Sequence, residues 1–246
     1  MENLDYARLQ MAFTLGFHII FACIGMVMPF FMVVSHHKWL KTRNPVYLKL
    51  TKAWLKGVAI FFVTGAVSGT ALSFELGMLW PEFMKHAGPI IGMPFSLEGA
   101  AFFVEAIALG FYLYGWNKLP EKFHWFTGVI IGISGVLSGI LVVAANGWMN
   151  APSGFEYING EFTNIDPVQA FLNPAWFSQA LHMTLAAFVA TSFGVAGIHA
   201  FQILRGKAVE VHKSAFKIAI SFGAIAALLQ PCLLYTSPSP RDGLLS

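Results

Sequence analysis

Two carboxylates and two imidazoles inside apolar stretches are the residues of this sequence best suited to chemistry. Glu98 and Glu105 lie seven residues apart in FSLEGAAFFVEAIAL (95–109), and His18 and His182 lie in two other apolar stretches. A spacing of seven is two helical turns, which places both carboxylates on nearly the same face of a helix. Imidazole can ligate a metal, and a carboxyl group can ligate a metal or relay protons. These residue types therefore indicate proton or redox chemistry.

The composition predicts that these residues lie in a membrane protein. Of the 246 residues, 57% are hydrophobic and 11% are charged, whereas a soluble domain has about 25% charged residues. Two cysteines give no disulfide framework, and the net charge of +3 does not indicate nucleic-acid binding. The first ten residues lack the features of a cleaved signal peptide, so we expect the first hydrophobic segment to remain in the mature protein.

Six apolar runs are long enough to cross a bilayer as helices. Each approaches or exceeds the roughly 20 residues that span about 30 Å of hydrocarbon. The runs are continuous and lack the alternation of a membrane barrel, which favours an all-α fold, a polytopic transmembrane helix bundle. The six runs are 9–35, 57–80, 95–116, 125–147, 176–204 and 215–231.

The charges of the connections predict how the helices are oriented. The first, third and fifth connections hold six, two and four basic residues, twelve of the fifteen in the sequence. The fourth connection, residues 148–175, holds three acidic residues and no Lys or Arg. By the positive-inside rule, the N-terminus then lies on the outer side of the membrane.

On this topology, most ionisable residues of the apolar runs gather in the outer half of the bilayer. An unpaired charge inside the bilayer costs roughly 2.5–3.5 kcal/mol, so ionisable residues that gather there indicate a functional interior. The residues in the outer half are His18, Glu75, Glu98, Glu105 and His182. His199 lies near the cytoplasmic end of its helix and is interpreted as a helix-end residue. The histidines of the connections are expected to be solvated loop residues: His36, His37, His86, His124 and His212.

The residues alone leave three classes of function open. One histidine on each of two helices at similar depth suits one or more haems held across a bundle. A proton-coupled transporter could use Glu98 and Glu105 equally well, although it would favour inverted repeats, and no convincing repeat is visible. A structural or assembly subunit would bind no cofactor. The sequence thus predicts a polar, proton- or redox-active site near the outer face.

Five segments in order resemble subunit I of the cytochrome bd quinol oxidases. Each is weakly specific alone, but the ordered set is highly specific and spans residues 1–231. The segments are ARLQMAFTLGFH (7–18), LEGAAFFVEA (97–106), GWNKL (115–119), VVAANGWMNAP (142–152) and LNPAWFSQALHMTLAAFVA (172–190). SFELGMLWPEF (73–83) and MPFSLEGAAFFVEA (93–106) look most like the cyanide-insensitive branch.

This resemblance implies a terminal oxidase that takes electrons from a membrane quinol and reduces dioxygen to water while contributing to the proton gradient. It implies a low-spin haem b, a high-spin haem b, and a third haem that is either haem d or a further haem b. The partners that it implies are oxidase subunit II, a small single-helix subunit, membrane lipid, quinol and dioxygen, and no nucleic acid.

The resemblance also implies roles for individual residues. His18 matches the axial ligand of a high-spin haem, and His182 matches one ligand of the low-spin haem. Glu98 matches a residue beside or on the iron of the high-spin haems, and Glu105 matches the deeper residue on a proton route. Glu75 receives no role. The other matches line the haem pocket or, most weakly, a channel: Arg8, Asn146, Trp148 and Ser138.

The last residues break the pattern of the apolar runs. The stretch CLLYTSPSPRDGLLS (232–246) looks like the conceptual translation of a sequencing adaptor rather than an ordinary outer loop. We therefore expect residues 1–231 to be the N-terminal portion of a longer subunit and residues 232–246 to be non-native. In the family, the methionine ligand of the low-spin haem, the quinol-binding loop and a further glutamate ligand follow the sixth helix. The fragment alone is thus expected to be inactive.

Overall fold

The computed structural model describes residues 2–236, which form a bundle of six long helices. All six are long and apolar enough to cross a membrane, which confirms the predicted all-α bundle. They are α1 (Glu2–Thr42), α2 (Pro45–Leu79), α3 (Pro81–Tyr114), α4 (Glu121–Asn150), α6 (Trp176–Leu204) and α7 (Val209–Thr236). Between α4 and α6 the chain forms an antiparallel hairpin of β1 (Glu156–Ile158) and β2 (Glu161–Thr163), and then the short helix α5 (Pro167–Phe171).

Two of the predicted connections are helical instead. Only residues 43–44 separate α1 from α2, and only Trp80 separates α2 from α3. The Lys and Leu residues of the first predicted connection are good helix formers, so the helices extend well beyond their apolar runs. Asn44 caps α2 by accepting a hydrogen bond from the backbone N–H of Val46 at 2.9 Å. Pro45 begins α2 at a position where its missing N–H costs nothing.

The helices pack as three antiparallel pairs, α1–α2, α3–α4 and α6–α7, around α1 as the central helix. Trp125 of α4 donates to the carbonyl of Val33 at 3.1 Å, and Thr191 of α6 donates to the carbonyl of Cys23 at 3.3 Å. We call the end with the turns at 43–44, 115–120 and 205–208 the basic end, and the end with the β-hairpin the hairpin end. Which end faces the cytoplasm stays a prediction.

The main core lies in the half of the bundle towards the basic end. It joins α1, α2, α3, α4, α6 and α7, and its most deeply buried large side chains include Val27, Phe31, Met32, Leu50, Val58, Tyr112 and Ile131. A smaller cluster at the hairpin end joins α3 to α4 and α5, through Ile90, Ile91, Trp148 and Ala170. The hairpin-end halves of α1 and α2, in contrast, expose large apolar side chains such as Phe13, Phe17, Val67 and Phe74.

The expected boundary after residue 231 stays a prediction. Helix α7 continues through Pro231 to Thr236, and residues 237–246 lie outside the described residues.

Candidate functional site

The two glutamates of α3 lie on one continuous stretch of helix, about 10.5 Å apart along its axis. Glu105 is only 8% exposed, and its carboxylate faces α4, where a Cβ added to Gly135 would stand 3.4 Å from both oxygens. Glu98 is half-buried nearer the hairpin end. Within residues 2–236, no side chain or backbone group hydrogen-bonds either carboxylate. Both groups therefore keep their oxygens available to a proton or a ligand.

His18 of α1 is held by α2 in a defined orientation. The Ser68 hydroxyl lies 2.8 Å from the carbonyl of Thr64 and 2.9 Å from Nδ1 of His18. When the hydroxyl donates to that carbonyl, its oxygen accepts from Nδ1–H, and the lone pair of Nε2 is free. The ring lies against Gly69, where an added Cβ would come within 3.1 Å of Cε1. This contact with α2 is thus compatible with the tautomer that a metal ligand needs.

His182 of α6 faces α7 rather than α1. Its Nδ1 lies 2.6 Å from Nε2 of Gln230, and its ring is half-buried. In the described part of the chain, no hydrogen bond or ring contact joins His182 to His18, which pairs with α2. The structure thus gives the two histidines separate surroundings on separate helix pairs.

The histidines fit axial ligation of a haem better than a metal site made of protein ligands alone. Among residues 2–236, no group of three or more His, Cys, Asp or Glu side chains is placed to hold a metal ion. A haem supplies four nitrogen ligands itself and needs only one or two axial ligands from protein. His18, with its Nε2 lone pair free, meets that requirement. The residues present therefore fit the group.

Glu75, to which the sequence assigned no role, lies in the same α1–α2 contact as His18. It is 8% exposed, and its Oε1 accepts from Thr14 at 2.7 Å and from Gln10 at 3.2 Å. Its Oε2 is buried with no hydrogen-bond partner among the described residues. Glu75 and Ser68 are seven residues apart, so α2 presents both to α1 from nearly one face.

Asn146 and Trp148, at the hairpin end of α4, connect that helix to its neighbours. Asn146 donates through Nδ2 to Oε1 of Gln179 on α6 at 2.8 Å. Trp148 is 5% exposed and donates through Nε1 to the carbonyl of Ser153 at 3.0 Å, which holds the connection after α4 against the bundle. In the part of the chain that the structure describes, these two residues position elements rather than approach His18.

The two remaining pocket-lining candidates lie apart from these contacts. Arg8 is exposed near the start of α1, and Ser138 is half-buried on α4. Neither side chain makes a hydrogen bond or ion pair to another residue of the range 2–236.

The prediction that His36 and His124 are solvated loop residues is wrong. His36 is fully buried and His124 is 4% exposed. The Tyr112 hydroxyl lies 2.7 Å from Nδ1 of His36, and Nε2 of His124 donates to the Tyr112 carbonyl at 2.8 Å. Since α1 and α4 extend beyond their apolar runs, these positions belong to helices and face the core.

The other histidines outside the predicted site also lie in helices. His37 and His86 are exposed, as predicted, but they lie in α1 and α3 rather than in loops. His212 is helical and half-buried, and its Nδ1 lies 2.7 Å from Nδ1 of His199, so the pair joins α6 to α7 near the basic end. His199 is thus a paired residue of a helix–helix contact.

Sequence reasoning missed the residues that hold the histidines. Ser68 contacts His18, and Gln230 contacts His182. The signal for Gln230 was present, because it is the single amide in the apolar run AALLQ. The small side chain of Ser68 carries no comparable signal, since serines that bond to their own helix are common in membrane helices.

Comparisons with known proteins show what this arrangement is similar to. The family model for cytochrome bd terminal oxidase subunit I matches residues 6–235. The putative cytochrome bd menaquinol oxidase subunit I of Bacillus subtilis (strain 168) is 33% identical over 233 residues, covering 93% of this chain and 53% of the relative. The cytochrome bd ubiquinol oxidase subunit 1 of the same strain is 31% identical over 229 residues, covering 93% and 49%.

The fold is similar to a solved structure of the same group. The bd oxidase from Geobacillus thermodenitrificans matches with a TM-score of 0.89 and 32% identity, over 94% of this chain and 54% of that chain. The chain spans about half the length of the curated relatives that it matches.

Proposed function

The chain belongs to the cytochrome bd terminal oxidase subunit I family, and on that premise we propose that it is the haem-binding part of a quinol:oxygen oxidoreductase in a bacterial membrane. Two quinols would supply four electrons and release four protons on the outer side, and four protons from the cytoplasmic side would join those electrons in reducing one dioxygen to two waters. The haems that the family implies would carry those electrons and hold the dioxygen. The residues of this chain would ligate iron and hold protons.

The observation that carries this proposal is the contact between His18 and Ser68. When the serine hydroxyl donates to the carbonyl of Thr64, the imidazole donates to the serine oxygen from Nδ1 and keeps the Nε2 lone pair. A fixed neutral tautomer with one free nitrogen is what axial ligation requires. We propose His18 as a ligand of a high-spin haem and His182 as one ligand of a low-spin haem b.

The two carboxyl groups of α3 would act at the high-spin haems and on the proton route to them. Glu98, half-buried nearer the hairpin end, would stand beside or on the iron of the high-spin haems. Glu105, more deeply buried against Gly135, would hold a proton on its way to that region. Asn146 and Trp148 would shape the pocket by fixing the hairpin end of α4. The third haem would be haem d or a further haem b.

The complete assembly would contain parts beyond this chain. We propose oxidase subunit II and a small single-helix subunit as partners, with membrane lipid around them and quinol and dioxygen as substrates. The basic end would face the cytoplasm and the N-terminus the periplasm, because twelve of the fifteen basic residues lie in the first, third and fifth connections. Residues 1–231 would be the native portion of the subunit.

The alternatives are weaker. A proton-coupled transporter could use Glu98 and Glu105, and a structural subunit would use neither. The matched relatives are oxidase subunits, so neither alternative is favoured.

The test uses the full-length protein assembled in membranes, with His182→Ala compared against His86→Ala, an exposed histidine at the hairpin end. We expect the reduced-minus-oxidised spectrum of the low-spin haem to disappear in His182→Ala and to persist in His86→Ala, with both proteins inserted. A pyridine haemochrome assay counts the haem that remains. Retention of the low-spin signal in His182→Ala would contradict the assignment of His182 as a ligand. A wild-type protein without iron would contradict the proposed oxidase function.

A further inference from the structure

The contact between His182 and Gln230 joins α6 to α7 near the hairpin end, about two turns from the end of each helix. Nε2 of the Gln230 amide lies 2.6 Å from Nδ1 of His182, and both side chains are half-buried. The Oε1 atom of the same amide is buried and has no hydrogen-bond partner among the described residues. A buried amide oxygen without a partner costs about 1–3 kcal/mol, so this orientation of the amide is unfavourable for its oxygen.

The orientation of the amide determines which nitrogen of His182 carries the proton. When the amide nitrogen donates, Nδ1 accepts, and Nε2 must carry the hydrogen and cannot bind a metal. When the amide is turned by 180°, Oε1 accepts a hydrogen bond from Nδ1–H, and the Nε2 lone pair is free. The same turn gives Oε1 the partner that it lacks and moves Nε2 into the buried position that Oε1 leaves. The two amide orientations therefore correspond to a non-ligating and a ligating imidazole.

We infer that Gln230 is the positioning residue of His182: its amide oxygen accepts from Nδ1–H, fixes the ligating tautomer and tunes the electron density of the imidazole that binds the low-spin haem. This inference rests on the proposed function, in which His182 is a haem ligand. Histidines that ligate metals generally donate their other N–H to a carbonyl, carboxylate or water, and that partner orients the ring and raises the basicity of the ligand. Among residues 2–236, Gln230 is the one hydrogen-bond partner of His182.

The sign of the effect follows from the hydrogen bond. A stronger acceptor at Nδ1–H makes the imidazole a better electron donor and stabilises ferric over ferrous haem. Gln230→Glu places a carboxylate there and should lower the midpoint potential of the low-spin haem. Gln230→Leu keeps the approximate volume without an acceptor and should raise it. We expect the ratio of reduced to oxidised haem at a fixed potential to change about tenfold in each direction. For a one-electron couple this is a shift of about 59 mV in the midpoint potential.

The experiment is a redox titration of the low-spin haem in the full-length, membrane-assembled protein, with the EPR g-values of the ferric haem as a second measurement. Gln202→Leu is the matched control. Gln202 lies on the same helix pair, its Oε1 is also buried without a partner among the described residues, and it is twenty residues along α6 from His182. The control should retain the wild-type potential and g-values.

The outcomes separate this inference from the proposed function. Opposite shifts in Gln230→Glu and Gln230→Leu, with no shift in Gln202→Leu, would support it, because loss of packing alone has no reason to reverse sign. Wild-type potentials in both Gln230 variants would overturn it while leaving His182 as a ligand. If Gln230→Leu does not assemble, the downward shift in Gln230→Glu still decides the question, and no shift there overturns the inference. A low-spin signal that survives in His182→Ala would instead overturn the ligand assignment.

Discussion

The two halves of the bundle are built differently. Towards the basic end, side chains from six helices interlock, and buried polar groups contact each other inside the core, as Tyr112 does with His36 and His124. Towards the hairpin end, α1 and α2 expose large apolar side chains, and polar side chains join one helix to the other, as His18 joins Ser68.

This difference indicates that the basic-end half contributes most to stability and that the hairpin-end half holds the candidate site. A close-packed region resists changes in volume, because its atoms have no room to relax. The hairpin-end half holds His18, Glu75, Glu98 and His182, and its parts of α1 and α2 expose large apolar side chains. Substitutions in the packed half should therefore change folding stability, whereas substitutions in the other half should change spectra and leave stability nearly constant.

The largest expected loss of stability comes from Tyr112→Ala in the packed half. Tyr112 is fully buried, stacks on His124 at 4.4 Å between ring centroids, and contacts His36 through its hydroxyl. Its removal should lower the free energy of unfolding by about 3–5 kcal/mol, the range for large aromatic residues in cores. SDS-induced unfolding of the purified full-length protein measures this. A loss below about 1 kcal/mol would contradict a close-packed basic-end half.

A pair of glycine substitutions compares the two halves directly. In Gly128→Ala, the new Cβ would lie 2.6 Å from Cε2 of Tyr112 and 3.1 Å from Cγ2 of Val33, and the strain should cost about 1–3 kcal/mol. In Gly16→Ala, no described side chain or neighbouring helix lies within 4 Å, and better helix propensity should stabilise α1 by up to about 1 kcal/mol. The same unfolding assay measures both. Equal losses in the two variants would show that the halves do not differ in packing.

The smallest expected effect on stability comes from Ser68→Ala, which removes the acceptor of the His18 Nδ1–H bond. The lost hydrogen bond should cost about 0.5–1.5 kcal/mol. The high-spin haem absorbance should shift nevertheless, because His18 loses the contact that fixes its tautomer. Optical spectra and SDS unfolding on one preparation test the two effects together, and Ser68→Thr, which keeps a hydroxyl, serves as the control. An unshifted spectrum in Ser68→Ala would contradict the proposal that Ser68 fixes the tautomer of His18.

Hydrophobic runs located the six spans because a membrane helix needs a long apolar stretch, and that requirement is visible residue by residue. The same method placed the helix ends wrongly. The continuation of α1 through His36 depends on packing against α3 and α4, where Tyr112 and His124 stand. Such contacts between residues far apart in sequence leave no local pattern, so buried histidines resembled loop residues.

The sequence by itself determined the class of protein, the number of spans, the common helix face of Glu98 and Glu105, and the identity of His18 and His182 as the candidate ligands. The first three properties follow from composition and from the 3.6-residue period, which act along the chain, and the candidate ligands follow from the family resemblance. The partners of those residues were decided only by the tertiary structure. Ser68 reaches His18, and Gln230 reaches His182, because antiparallel helices bring together residues separated by about fifty positions. In the proposed function, that partner sets which nitrogen of each imidazole carries the proton, and with it whether the other nitrogen is available to iron.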